Sequence, residues 1–266
     1  VMKINRTKNA TRNITSGFAL KLYQLITPFV IRTLMIYFLG MEYVGLNTLF
    51  SSILQVLNLA ELGVGAAMVY SMYKPIAEDN SNMICALMRL YKIYYRIIGL
   101  IVLIAGLIIM PFVPKLISGT VPDGINIYVL YVLNLAATVV SYWLFAYKNS
   151  LLTAHQRTDI VNNITIATST VQYVLQAVVL LVMKNYYVYL IVALASQAVL
   201  NIVTAYWATK MYPQYEARGE LDRQSVKEIN QRVKDLFTSK LGSIIVNSAD
   251  TIVISAFLGL SILGVY

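Results

Sequence analysis

Apolar residues along the chain fall into seven long runs, each separated from the next by a shorter polar segment. The runs cover residues 14–38, 44–72, 94–114, 125–147, 160–183, 187–209 and 237–259. A run of about 20 apolar residues is long enough for a helix to cross the hydrocarbon core of a bilayer. The pattern therefore predicts an all-α, polytopic membrane protein with seven membrane-spanning helices.

Composition supports this interpretation and excludes several classes of site. Of the 266 residues, 58% are hydrophobic and 12% are charged, whereas a soluble domain carries about 25% charged residues. The single cysteine, Cys85, excludes a disulfide framework, and the single histidine, His155, excludes paired-histidine metal ligation. The chain contains no phosphate-binding glycine loop, nucleophile elbow or zinc-protease motif. We therefore predict a protein that is not an enzyme, with no cofactor, no metal and no nucleic-acid partner.

Basic residues are distributed unequally between the two sides of the predicted spans. The N-terminal tail and the segments that follow the second, fourth and sixth spans hold 17 lysines and arginines, whereas the other side holds only Lys115 and Lys184. Lysine and arginine are enriched in cytoplasmic segments of membrane proteins. The asymmetry predicts a cytoplasmic N-terminus and a seventh span that also begins in the cytoplasm.

The segment 211–236 is the one long polar stretch between predicted spans. Pro213 and Gly219 interrupt its start, and Asp222 is a good N-cap for a helix. Apolar residues then recur at helical spacing, and Glu228 and Arg232 are placed to pair at i, i+4. We expect an amphipathic linker helix on the cytoplasmic face, and the pattern leaves open a basic site for an acidic lipid or partner.

The seventh span resembles the first. When residues 18–46 are shifted by 219, eight of 29 positions are identical. The identical pairs are Phe18/Phe237, Lys21/Lys240, Leu22/Leu241, Ile26/Ile245, Phe38/Phe257, Leu39/Leu258, Gly40/Gly259 and Gly45/Gly264. Parallel repeats of this kind are a transporter architecture. The sequence predicts a six-helix lobe at 1–210, a linker at 211–236, and the first helix of a truncated second lobe at 237–266.

Three of the predicted spans carry a polar stripe along one face. The residues of these stripes that we select as candidates are Lys21, Gln24, Arg32, Asn47, Gln55, Asn58, Glu61, Asn247 and Asp250. Ionisable side chains within a membrane are costly and mark functional sites by default. We expect all nine to line one water-filled cavity, where the cations and amides bind substrate and the two acids couple transport to an ion or proton. Snorkelling of the two cations and hydrogen bonding between helices are the alternative explanations.

Short motifs in these spans resemble a known family. They are PFVIRT at 28–33, LGMEYVGL at 39–46, LAELGVG at 59–65, YKP at 73–75 and SADTIVI at 248–254 followed by LG at 258–259. Together they are similar to the bacterial polysaccharide transporters, the O-antigen and capsule repeat-unit flippases. That family belongs to the multidrug/oligosaccharidyl-lipid/polysaccharide (MOP) exporter superfamily. The resemblance extends along essentially the whole chain.

The resemblance implies a two-lobed flippase in the bacterial plasma membrane. Such a protein would move undecaprenyl-pyrophosphate-linked oligosaccharide to the outer leaflet, with Lys21 and Arg32 receiving the pyrophosphate and an H+ or Na+ gradient, or the membrane potential, driving transport. A polysaccharide polymerase and glycosyltransferases would be its partners. The alternatives are a multidrug or metabolite antiporter of the same superfamily, a lipid II or teichoic acid flippase, and a non-transporting scaffold for glycan assembly.

Overall fold

The computed structural model describes residues 6–61, 63–117, 121–122 and 124–265, without the side chains of 6, 59, 60 and 240–249. The described residues are almost all helical, and none of them lies in a strand. The helices are α1 (Arg6–Phe38), α2 (Met41–Leu57), α3 (Val64–Ala77), α4 (Ser81–Ile109), α5 (Ile127–Trp143), α6 (Tyr147–Ala154), α7 (Thr158–Val182), α8 (Tyr186–Met211), α9 (Arg223–Leu258) and α10 (Leu260–Val265). Short 3-10 helices cover Asn58–Glu61 and Met110–Leu116. The all-α prediction is confirmed.

Four helices begin at an asparagine or aspartate that caps their free backbone N–H groups. The side-chain oxygens of Asn80, Asn126 and Asn185 accept such bonds at the starts of α4, α5 and α8. The predicted N-cap at Asp222 is confirmed, because its Oδ2 accepts a hydrogen bond from the backbone N–H of Ser225 at 3.0 Å. The hydrogen bonds from Ser225 also lower the pKa of the Asp222 carboxyl.

Several of the helices are long and apolar enough to cross a membrane. Four of them meet this description in the part of the chain that the structure describes, namely Thr7–Phe38, Ser81–Leu116, Thr158–Val182 and Tyr186–Met211. A fifth span results if α5 and α6, which are bent by 52° at a short break, are taken together. By length and composition, four or five helices of the described part of the chain could therefore cross a membrane, which indicates membrane-protein character.

The other two predicted runs have a different form. The run 44–72 is divided among α2, the 3-10 helix that ends at Glu61, and α3. The run 237–259 is the C-terminal part of α9, a continuous 36-residue helix that also contains the amphipathic segment. The expected pairing of Glu228 with Arg232 is wrong, because Arg232 instead donates to the Ser71 hydroxyl at 3.2 Å. Its guanidinium also lies 4.8 Å from the ring centroid of Tyr70, so both of these contacts are with α3.

The first eight helices form one bundle around an apolar core. α1 packs against α7, α7 against α8, and α5 between α4 and α8. The largest fully buried side chains include Tyr131 of α5 and Phe50 of α2, whose ring centroids lie 6.0 Å apart. α1 lies at the edge of the bundle with contacts to α7 and α2, and most of its apolar side chains are exposed.

The two units related by the 219-residue shift have the same local backbone. Gly40 separates α1 from α2 and Gly259 separates α9 from α10, with φ of 117° and 90° and ψ of 168° and 169°. Each glycine N–H donates to the carbonyl five residues earlier, that of Met35 or Ile254, at 3.2 Å in both cases. Positive φ strains any residue with a side chain, so glycine is required at both junctions.

The two units also contact each other in a reciprocal way. A Cβ added to Gly45 would lie 2.2 Å from the carbonyl oxygen of Leu260, and one added to Gly264 would lie 2.5 Å from that of Met41. The same shift relates Gly45 to Gly264 and Met41 to Leu260. The starts of α2 and α10 therefore cross backbone to backbone about an approximate two-fold axis, and only glycine permits this approach.

Candidate functional site

A cavity of about 830 Å³ opens within the bundle, bordered by α3, α4, α5, α6, α7 and α8. We call it the Glu61 cavity, because Glu61 is the one charged side chain among the described residues that line it. Its other lining groups are mainly phenols, amides and hydroxyls. They come from Tyr70, Tyr73, Tyr91, Tyr95, Tyr142, Asn58, Asn149, Gln197, Asn201, Ser141, Ser150, Thr153, Thr165 and Thr204. A concave site with many convergent polar groups is the default location for ligand binding.

Tyrosine hydroxyls hold the Glu61 carboxylate in place. Tyr95 donates to Glu61 Oε1 at 2.7 Å, and Tyr91 donates to the Tyr95 hydroxyl at 2.7 Å. Tyr142 donates to Glu61 Oε2 at 3.5 Å, which is a long hydrogen bond. Tyr91 and Tyr95 thus form a chain of hydroxyl groups that ends at the Glu61 carboxylate.

Sequence reasoning selected Glu61 but missed the tyrosines that bond to it. Tyr91 and Tyr95 are four residues apart on α4, so they face the same direction. Their ring centroids lie 4.5 Å apart, and that of Tyr142 on α5 lies 5.7 Å from Tyr95. The sequence signal that could have identified them is the i, i+4 spacing of two tyrosines within an apolar run. The same spacing is also typical of aromatic residues at a membrane interface.

Asn58 borders the same cavity with an unsatisfied acceptor. Its Oδ1 atom is buried and accepts no hydrogen bond from any described residue. A buried acceptor without a donor costs about 1–3 kcal/mol, so such an atom is satisfied when water or a ligand brings a hydroxyl to it. Asn58 and Glu61, both predicted site residues, thus lie together at one wall.

A second cavity, of about 350 Å³, is bordered by α1, α2, α5, α7 and α8. We call it the Arg32 cavity, since Arg32 is the one charged residue among its described lining residues. Four amides face it, from Asn47, Asn134, Gln172 and Gln176. Arg32 Nη2 donates to the Gly264 carbonyl of α10 at 2.6 Å, and Asn47 Oδ1 accepts from the Tyr186 hydroxyl at 3.3 Å. A guanidinium has five N–H donors, so this bond leaves Arg32 able to bind an anion.

The predicted site residues therefore occupy several places. Arg32 and Asn47 share one cavity, and Asn58 and Glu61 share the other. Lys21, Gln24, Gln55 and Asp250 have exposed side chains. The side chain of Asn247 lies outside the described residues. Lys21 and Gln24 are exposed because α1 is at the edge of the bundle, where helical spacing alone does not determine which face is covered.

His155 directly follows α6 and is buried. Its ring centroid lies 4.1 Å from that of Tyr212, and its Nδ1 is 2.9 Å from the Leu151 carbonyl oxygen. Burial lowers the pKa of the imidazole, since the charged form is poorly solvated there. The residue packs the corner between α6 and α8 and does not border either cavity.

Comparison with known proteins gives no family assignment. Neither a family model nor a curated protein nor a solved structure matches the chain.

Proposed function

We propose that this protein moves undecaprenyl-pyrophosphate-linked oligosaccharide repeat units across the bacterial plasma membrane for surface polysaccharide synthesis. The observation that carries the proposal is the Glu61 cavity, whose walls combine five tyrosine rings with amides and hydroxyls. In this role the protein would work beside glycosyltransferases that build the repeat unit and a polymerase that joins the units.

The lining of the Glu61 cavity matches the chemistry of a sugar chain. A sugar ring has hydroxyls around its edge, each of which both donates and accepts, and apolar C–H groups on its faces. Tyrosine offers an apolar ring face and a hydroxyl, and amides offer both donors and acceptors. A sugar hydroxyl that donates to Asn58 Oδ1 would satisfy the buried acceptor. A volume of about 830 Å³ is within the range of ligand pockets.

The pyrophosphate of the substrate requires a cation, and Arg32 is our candidate. It borders an amide-lined cavity while one guanidinium N–H bonds to Gly264. Arginine can bind phosphate oxygens through two parallel hydrogen bonds, which adds orientation to charge attraction. Glu61 is our candidate for coupling to H+, because the tyrosine hydroxyls that bond to it could deliver a proton.

One observation favours a second candidate, a multidrug or metabolite antiporter. The charge of the Glu61 cavity is negative, and aromatic walls around a carboxylate also suit an organic cation. A lipid II or teichoic acid flippase is a variant of the first proposal, since its substrate likewise joins sugars or polyols to a lipid phosphate. These functions differ in whether the transported group is a neutral glycan or a cation.

Deletion and rescue in the producing bacterium test the proposal. Deletion should trap the lipid-linked precursor in the inner leaflet, and the wild-type gene should restore surface polysaccharide. The Tyr142→Ala gene should restore about ten-fold less surface polysaccharide than the wild-type gene. This difference corresponds to roughly 1.4 kcal/mol of lost substrate binding. Tyr37→Ala is the matched control, because that ring is 81% exposed on α1 and lies outside both cavities. Normal surface polysaccharide after clean deletion, combined with loss of dye efflux, would favour the antiporter instead.

A further inference from the structure

A long groove is lined by residues of α7 that do not border the Glu61 cavity. Its first part, of about 900 Å³, lies between α1, α7 and α8. Its second part, of about 330 Å³, continues between α7 and α8. Ala167 and Thr168 line both parts, so the two parts adjoin at these residues. We call it the α7 groove.

One end of the α7 groove is cationic. Arg12 of α1 and Arg157 before α7 line it, and so does Trp207 of α8. Lys210 Nζ lies 5.2 Å from the centroid of the Trp207 ring. The carboxylate at this end, Asp159, pairs with Arg157 through bonds of 3.0 and 3.2 Å. Because that pair neutralises itself, Arg12 and Lys210 give this end its net positive charge.

Away from the charged end, the groove becomes apolar. Its walls there consist of alanine, valine, leucine and isoleucine side chains, interrupted only by Thr168 and Ser196 among the described lining residues. From Ile164 to Leu175 it follows α7 for eleven residues, or about 16 Å at 1.5 Å per residue. One leaflet of a bilayer contributes about 15 Å of hydrocarbon. The apolar part thus has the length of one leaflet.

We propose that the α7 groove binds an anionic glycerophospholipid from the leaflet on the basic side of the protein. Its phosphate lies at the cationic end, where Arg12 and Lys210 supply the net positive charge, and one acyl chain lies along Ala167 and Leu175. Trp207 marks the level of the headgroups, where tryptophan is enriched in membrane proteins. The site is separate from the substrate cavities and does not depend on the proposed transport activity.

Charge decides which lipid the groove prefers. Each lysine or arginine near a membrane surface attracts an acidic lipid with an energy equivalent to about a five-fold change in binding. A zwitterionic lipid has a phosphate but also an ammonium group, which the cationic end repels. Inorganic phosphate lacks the acyl chain and cannot use the apolar part. Phosphatidylglycerol should therefore bind more tightly than phosphatidylcholine or inorganic phosphate.

The test is a lipid-binding measurement by native mass spectrometry on the purified protein, with phosphatidylglycerol, phosphatidylcholine and inorganic phosphate as separate probes. Arg12→Gln and Lys210→Gln should each weaken phosphatidylglycerol binding by about five-fold, and the double variant by about 25-fold. Lys227→Gln on α9 removes one exposed charge elsewhere and should have no effect. Equal binding of the two phospholipids, or full retention by the double variant, would overturn the proposal.

A second variant tests the apolar part without changing charge. Ala167 is exposed in the groove, so Ala167→Phe should block the acyl chain and weaken phosphatidylglycerol binding by about ten-fold or more, without disturbing the core. Val178→Phe is the control, because Val178 is 49% exposed on α7 beyond the groove. Unchanged binding by Ala167→Phe would overturn the placement of the acyl chain.

Discussion

The Glu61 and Arg32 cavities each have one charged side chain among their described lining residues, and these two charges, of opposite sign, have different partners. Glu61 is held by phenol side chains of α4 and α5, at 2.7 Å from Tyr95 and 3.5 Å from Tyr142. Arg32 instead donates to a backbone carbonyl, that of Gly264, in the second of the two repeat-related units. The groups that bond to Glu61 therefore belong to the bundle itself, whereas Arg32 is bonded to α10, which crosses α2.

This difference suggests separate tasks for the two charges. The Glu61 cavity is larger and rich in groups that suit a glycan, whereas the Arg32 cavity has a guanidinium beside four amides. A substrate with a sugar part and a pyrophosphate part needs both kinds of site. The following predictions test whether the two sites can be disturbed independently.

The largest expected effect is on the α2–α10 crossing. Gly45→Ala places a Cβ 2.2 Å from the Leu260 carbonyl oxygen, so the backbones must separate. Overpacking of this kind costs about 1–3 kcal/mol, and it should also move Gly264 away from Arg32. The thermal unfolding temperature of the purified protein should fall. Gly17→Ala, where the nearest atom is 3.8 Å away, should leave it unchanged or raise it slightly.

The next effect concerns the cation. Arg32→Ala should raise the KM for lipid-linked oligosaccharide in a reconstituted flipping assay by about ten-fold, since a charge-assisted bond to phosphate is lost. Arg32→Lys should raise it less, because it keeps the charge but not the two-point geometry. Identical kinetics for the two variants would show that Arg32 does not bind the phosphate. Unchanged unfolding temperatures would confirm that the effect is on binding.

A smaller effect is expected from the hydroxyl of Tyr95. Tyr95→Phe leaves Tyr91 without its acceptor and removes a donor to Glu61, at a net cost of about 1 kcal/mol. The pH dependence of transport should shift as well. Tyr131→Phe is the matched control, because it removes one buried hydroxyl whose partner is the Gly106 carbonyl, away from both cavities. If both variants shift the pH dependence of transport equally, the chain of hydroxyl groups is not the path of the proton.

The smallest effect belongs to His155, and it separates protein stability from coupling at Glu61. Burial lowers the pKa of the folded imidazole below its ordinary value of 6.5. Its neutral form therefore stabilises the fold above pH 6.5, and this stability is lost as the pH falls toward the lower folded pKa. His155→Phe should reduce the dependence of the unfolding temperature on pH in this range. If the unfolding temperature depends on pH equally in wild type and variant, another group is responsible for the acid sensitivity.

Much of the helical architecture follows from local signals in the sequence. The apolar runs, the N-cap at Asp222 and the paired glycines at 40 and 259 all correspond to features of the described helices. Each depends on residues close together in the chain. The glycine pair also relates two distant parts of the chain, because glycine recurs at the two positions that need the same backbone conformation.

Contacts between helices that are far apart in the sequence were harder to predict. Arg232 pairs with Ser71 and Tyr70 of another helix, although its sequence spacing favoured Glu228. Lys21 and Arg32 share a helical face, yet only Arg32 borders a cavity, because neighbouring helices cover only part of α1. Which helices pack together is decided by contacts far apart in sequence. Periodicity shows which residues share a face but not what that face meets.

The most direct test of the Glu61 cavity as the glycan site is a pair of binding isotherms on the purified protein. One ligand is lipid-linked oligosaccharide extracted from the producing bacterium, and the other is the organic cation tetraphenylphosphonium. We predict that wild type and Glu61→Gln bind the oligosaccharide within about three-fold of each other, because a neutral glycan depends on the amides and phenols, and that Tyr142→Ala binds it about ten-fold more weakly. Binding of tetraphenylphosphonium that requires Glu61, together with no binding of the oligosaccharide, would contradict the account.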